Sequence, residues 1–438
     1  MKRIFFCLGI VIAVVSCSDK KANNDVADLN VLAEKYVRLG LAIGQYDADF
    51  VDAYYGPDSL KPTGTKGAVF PKDSLIKAVA DLKASLTAIA NTITNDTLRN
   101  RASWIGSQLT AFERRIKIFS GELGSFDEES ADLFGTRAPV NTEDHFKALI
   151  AELNTSMPGS GPLDKRFQQL TEKFTIPKDK VDTVFKTAIA EARKRTMAHY
   201  ALPATEAFTL EYVTNKPWSG YNWYKGNYNS LIQINVDQPI LIDRAIDLAC
   251  HEGYPGHHVY NMLLEKNLYR DKGWVEISLY PLYSPQSLIA EGSANYGIQV
   301  AFPGEEQKTF CKNVLLPLAG MDTTGIDAYF TALALKGQLN YARNEVARGL
   351  LNKSMTEADA VRWLTSYGLM SEAGAQKSIS FINQYRSYVL NYNYGQALVK
   401  RYIEAGGGTA DNPQKRWDLF GWLLSNEVTP SELAKENK

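Results

Sequence analysis

The sequence predicts a mainly α-helical protein with a small β-sheet or hairpin beside one histidine-rich helix. Three observations carry this. Apolar residues recur at helical spacing over most of the chain, as in Leu29, Leu32, Ala33, Tyr36 and Leu39. Two short stretches, 207–213 and 230–235, instead alternate apolar with polar residues, the period of a half-buried strand. Three of the five histidines crowd into His251-Glu252-Gly253-Tyr254-Pro255-Gly256-His257-His258.

In chain order, residues 1–16 read as an export signal: Lys2 and Arg3, then an apolar run from Ile4 to Val15. That run is too short for a stable membrane-spanning helix. It ends at Val14-Val15-Ser16-Cys17, a lipobox-like pattern that makes Cys17 the expected lipidation site. Residues 17–26 follow as a lipidated cysteine and polar tether, poor in groups that a core could bury. The expected location is the bacterial cell envelope, periplasmic or surface-facing, held to the membrane through a lipid.

The remainder, 27–438, is expected to be one large domain with a helical half over about 27–204 and a second half from about 205 onward. With 48 basic against 49 acidic residues, no nucleic-acid partner is indicated. Cys250 and Cys311 imply no disulfide scaffold, and Cys250 is expected as a buried thiol.

Helices are predicted over Val26–Asp47, Asp73–Ala90, Leu98–Phe119 and Lys178–Tyr200, with a loop from Gly121 to Asp144. His145 and His199 lie singly in helical stretches and are expected at the surface or in the core. Between the two strands, 217–228 reads as an aromatic, Gly-punctuated loop at a cleft. Further helices are predicted over Ser287–Val300, Gln307–Leu318, Asp327–Glu345, Ala358–Tyr367, Ala373–Glu404 and Pro413–Leu424.

The chemistry concentrates at His251. Imidazoles holding a metal ion, with a carboxylate beside them to handle the proton of a water, form a hydrolytic arrangement. In the usual H-E-x-x-H helix the second histidine sits at i+4, but Pro255 occupies that position here. On a straight helix His258 would lie roughly 10 Å further along the axis than His251. That is too far for one ion with metal–nitrogen bonds of about 2 Å. Pro255 removes a helical hydrogen bond, so a kink or bulge absorbing Pro255-Gly256 would return His257 to the second ligand position. His258 is the alternative. Asp247, four residues before His251, is expected to accept its free imidazole N–H and fix the tautomer.

HEGYPGHH, followed by Glu291-Gly292-Ser293-Ala294-Asn295-Tyr296, resembles a bacterial family catalogued as domain of unknown function 885. Its members carry HExxPGHH and then E-G-W-A-x-Y. Tyr392-Asn393-Tyr394-Gly395 is similar to the family's later Y-x-x-G. Ser293 stands where that family has tryptophan, and a final histidine motif is absent. The resemblance implies a zincin-like, mainly helical zinc metallopeptidase in the style of the thermostable carboxypeptidases.

It further implies that His251, His257 and Glu291 bind one Zn²⁺, with Glu252 as general base and a short peptide as substrate. Tyr392 is the candidate for stabilising the oxyanion, with Tyr394 and Arg386 as competitors. Two other classes remain open: a catalytically inactive homologue with a closed structural metal site that uses His258 as well, and a SusD-like nutrient- or glycan-binding lipoprotein.

Overall fold

The computed structural model describes residues 11–435 except 158 and 217, and residues 11–23 by backbone alone. The chain is mainly helical. Its first half runs through α1 (Val11–Gly44), β1 (Val51–Tyr54), α2 (Lys72–Ala90), α3 (Asp96–Phe119), α4 (Phe126–Phe134), α5 (Glu143–Ser156), α6 (Leu163–Glu172) and α7 (Val181–Met197). The predicted helices are present, but α4 and the start of α5 interrupt the stretch read as a loop. Helix α4 is closed at its start by a reciprocal Ser125–Glu128 capping box and at its end by Gly135 at φ 65°.

Part of the predicted export signal, residues 1–10, lies outside the described residues, as does the side chain of Cys17. The stretch read as a polar tether, 17–26, is helical, since α1 passes through it without a break. Among the side chains described, the first that α1 buries is that of Leu29. Among the described residues, no helix is long and apolar enough to cross a membrane.

Strands β2 (Ala207–Val213), β3 (Gly220–Gly226) and β4 (Asn229–Asn235) form a sheet in the order β2-β4-β3. Strands β2 and β4 run parallel, and β3 and β4 form an antiparallel hairpin. The stretch read as an aromatic loop is therefore largely strand β3. A second pair joins β1 antiparallel to β5 (Leu279–Pro281), across more than two hundred residues.

The histidine-rich segment follows α8 (Ile242–Leu248) and precedes α9 (His257–Leu264). Beyond β5 come α10 (Pro285–Ala301), the short α11 (Glu306–Phe310) and α12 (Leu316–Leu318), and then α13 (Ile326–Gln338) and α14 (Ala342–Leu351). Helices α15 (Glu357–Tyr367), α16 (Glu372–Tyr385), α17 (Leu390–Ala405), α18 (Pro413–Leu424) and the short α19 (Pro430–Ala434) follow in the site-bearing half. The single helix expected over 373–404 is two, parted at Arg386, whose φ is 55°.

One buried apolar cluster extends from Leu29 to Leu433 and includes side chains of both halves. Polar ties cross it. Arg101 and Glu276, both without solvent exposure, pair through two hydrogen bonds, and Arg101 also donates to Asn30 (2.8 Å). Arg386 donates twice to Glu129, each at 2.7 Å. Cys250 and Cys311 are free and buried.

Helices α10 and α17 approach at two glycines, and this contact positions the site. A Cβ on Gly292 would lie 2.5 Å from the backbone of Gly395. Asn295 ties the same helices by donating to the carbonyls of Glu291 and Tyr392, each at 3.1 Å. The E-G and Y-x-x-G motifs are thus two sides of one helix crossing. Gly292→Ala is expected to force the helices apart and lower stability by about 1–3 kcal/mol, the cost of overpacking. A thermal melt would read this as a fall in Tm.

Candidate metal centre

The site begins where α8 stops being regular. Ala249–Gly253 forms a π-helical turn, in which Tyr254 N–H bonds to Ala249 O (3.0 Å). Tyr254 is extended, Pro255 follows through a cis peptide, and Gly256 N–H reaches back to Cys250 O (2.9 Å). A Cβ on Gly256 would lie 2.0 Å from the carbonyl oxygen of His251, so only glycine lets the chain fold back this tightly. Helix α9 then starts at His257. Two helices meet at a turn where the sequence suggested one bulged helix.

This path brings together His251 and His257, whose Nε2 atoms are 3.2 Å apart. Glu291 Oε2, from α10, lies 3.4 Å from the first and 3.8 Å from the second. Two facing imidazole nitrogens cannot both donate to one another. Glu291 Oε2 is buried and has no hydrogen-bond partner. These three inward-facing donors could hold a metal ion. Tetrahedral coordination at about 2.0–2.2 Å gives donor–donor separations of about 3.3–3.6 Å, and the observed 3.2, 3.4 and 3.8 Å bracket that range.

Around the triangle, Tyr388 Oη donates to the other Glu291 oxygen (3.0 Å) and accepts from Ser287 Oγ (3.1 Å). Burial opposes the charge on Glu291, but the two nearby histidines outweigh it and hold the carboxyl far below its ordinary pKa. Burial likewise opposes charge on His251, yet Glu291 and Glu252 raise its pKa. Tyr388→Phe is expected to retain the fold and weaken metal binding roughly 10–100-fold, since it frees the ligand carboxylate. Competition with a chelator would measure this.

Glu252 is 4% exposed, and its backbone carbonyl accepts from Asn222 Nδ2 (2.7 Å) on β3. Burial raises its carboxyl pKa above the ordinary value, against the pull of His251 and His257. Glu252, the three donors and Tyr392 line one cavity of about 500 Å³. Trp218 and Tyr221 also line it, as the aromatic segment was expected to do.

His258 lies elsewhere. It is fully buried; its Nδ1 meets Ser230 Oγ (2.8 Å) and its Nε2 donates to Glu206 Oε2 (3.1 Å). Tyr254 Oη donates to the same Glu206 oxygen (2.6 Å), and Arg193 pairs with the other. Burial would raise the Glu206 pKa, but these partners bring it down to about 2. His258, the alternative to His257, is not among the three donors, because as the next residue of α9 its side chain is rotated about 100° away.

Asp247 lines the cavity but pairs with Arg244, with no hydrogen bond to His251. The π-helical turn between them changes the angular step, so the i, i+4 relation no longer places both side chains on one face. Of the competitors to Tyr392, Arg386 is engaged with Glu129, and Tyr394 does not line the cavity. Ser293 is buried, donates to Ala290 O (3.0 Å) and is not part of the lining. His145 and His199 are exposed, the latter stacked on Trp417.

No family model matches the chain, and no curated protein matches it. Solved structures do. One is a protein from Colwellia psychrerythraea provisionally described as a lipoprotein, with 15% identity over 83% of this chain and 68% of that one, TM-score 0.52. The likeness is one of fold. A similarly described protein of unknown function from Shewanella oneidensis gives 13% identity, 81% and 70% coverage and a TM-score of 0.45. An M32 carboxypeptidase from Deinococcus radiodurans R1 gives 13%, 94% of both chains and 0.41.

The sequence reading passed over Tyr388. Its only signal was helical spacing to Tyr392, four residues on, among 23 tyrosines.

Proposed function

We propose that the protein is a zinc-dependent metallopeptidase acting on short peptides, with His251, His257 and Glu291 as the protein ligands and Glu252 as general base. The observation that carries this is the unpartnered Glu291 Oε2 facing two imidazole nitrogens beside a free carboxylate in a cavity. Two nitrogens and one carboxylate oxygen suit zinc, and three protein donors support catalysis over a closed four-donor structural site. The HEGYPGHH and EGSANY resemblance to domain of unknown function 885 supports the same zincin-like reading.

When bound, zinc supplies Lewis acidity, polarising the scissile carbonyl and acidifying a water. Glu252 takes a proton from the attacking water and delivers it to the departing amine. Tyr392 donates its phenol to the oxygen that becomes negative. Tyr388 and Ser287 hold Glu291 in its orientation. Attachment to the envelope through Cys17 is part of the proposal and rests on the N-terminal sequence.

The test is metal removal. Hydrolysis of short peptides by the zinc-loaded protein should vanish after dialysis against a chelator and return with zinc. Unchanged hydrolysis by metal-free protein would overturn the proposal.

A further inference from the structure

Among the charged groups lining the cavity that the hydrolytic mechanism leaves unused, Arg343 and Asp52 are of opposite sign. Arg343, on α14, lines it and is mostly buried. Its Nε–H donates to Ser378 Oγ (3.1 Å) and its guanidinium lies over the Phe381 ring. Among the described residues no carboxylate pairs with it, and burial lowers its pKa. Its charged neighbours make matters worse. Lys336, pushed down to about 8 by burial and by Arg343, stands near it, and Lys377 lines the same cavity. A buried cation without an anion is costly, and a planar guanidinium fork matches a carboxylate.

Asp52, on β1, is the counterpart. One of its oxygens accepts from Tyr221 Oη, and no cationic side chain pairs with it among the described residues. It lines the same cavity, within electrostatic reach of His257, Glu252 and Glu291. Tyr392 lines the cavity too and feels Glu291 and Glu252 as well as Arg343. The volume, about 500 Å³, suits an enclosed small ligand better than a groove for a long chain.

We propose that this cavity recognises a short zwitterionic peptide by both ends, Asp52 taking the α-ammonium group and Arg343 the α-carboxylate. The inference rests on the metallopeptidase reading and narrows its substrates to peptides with two free termini, dipeptides foremost. Asp52 and Arg343 then act as specificity determinants on either side of the scissile bond.

The test uses full-length, zinc-loaded protein carrying Glu252→Gln as a non-hydrolysing trap. Calorimetry compares alanyl-phenylalanine with its N-acetyl and its C-amide forms. The free dipeptide should bind at least about tenfold more tightly than either blocked form, since each block removes a desolvated charge pair. Adding Arg343→Gln should abolish the penalty for the amide alone. Adding Asp52→Asn, which still accepts from Tyr221, should abolish the penalty for the acetyl group alone.

Equal binding of blocked and free forms, discrimination at one end only, or no binding to protein with a full zinc complement would each overturn the inference. The comparison of blocked with free peptides needs neither second substitution, so a misfolded variant leaves it decisive. Failure of the function itself reads differently: wild-type zinc protein would cleave none of the peptides, whatever the trap binds.

Discussion

Glu252→Gln should retain its metal and lose peptide hydrolysis by about 10²–10⁴-fold, the usual contribution of a positioned general acid–base. Glutamine keeps the size of the side chain and cannot take up a proton. The carboxyl group lines the cavity and is not one of the three donors, so metal stoichiometry should not move. The loss should appear in kcat, because the shuttled proton matters in the transition state rather than in binding. A variant that lost metal and activity together would make Glu252 part of the binding site.

His258→Ala should do the reverse, keeping metal and losing stability. His258 has no solvent exposure and both ring nitrogens are engaged. Truncation leaves a hole in the core and removes one of the three side chains that hold Glu206. Breaking a buried charged contact costs about 3–5 kcal/mol. Arg193 and Tyr254 still reach Glu206, so a loss near about 3 kcal/mol is expected, measurable as a lower urea midpoint. Glu206 also sets an acid limit. Its folded pKa, about 2, lies below the ordinary 4.5, so its contribution is complete above pH 4.5 and fades as pH falls toward 2.

The sequence disclosed what depends on short-range pattern. Helical spacing located α2, α3, α10 and α18 nearly to the residue, and the clustered histidines with Glu291 pointed to one centre. It could not decide between His257 and His258, because that depends on a π-helical turn and on how Gly256 folds onto the carbonyl of His251. Asp247 failed for the same reason: helical geometry was extrapolated through a turn that is not α-helical.

Strand β3 read as a loop because its aromatic residues and glycines resemble a turn-rich segment. The β1–β5 pair joins residues too distant for any local signal. Tyr388, Arg343 and Asp52 are ordinary residues in sequence. Their interest lies in what they face: the Glu291 carboxylate for the first and, among the described residues, no ion-pair partner for the other two.

The central claim is that His251, His257 and Glu291 together hold one metal ion. Metal content of purified residues 18–438, measured for wild type beside His257→Ala and His258→Ala, tests it most directly. The account predicts about one zinc per chain in wild type and in His258→Ala, and almost none in His257→Ala, because two remaining donors cannot complete the set. Loss of metal from His258→Ala with retention in His257→Ala, or no metal in wild type, would contradict it.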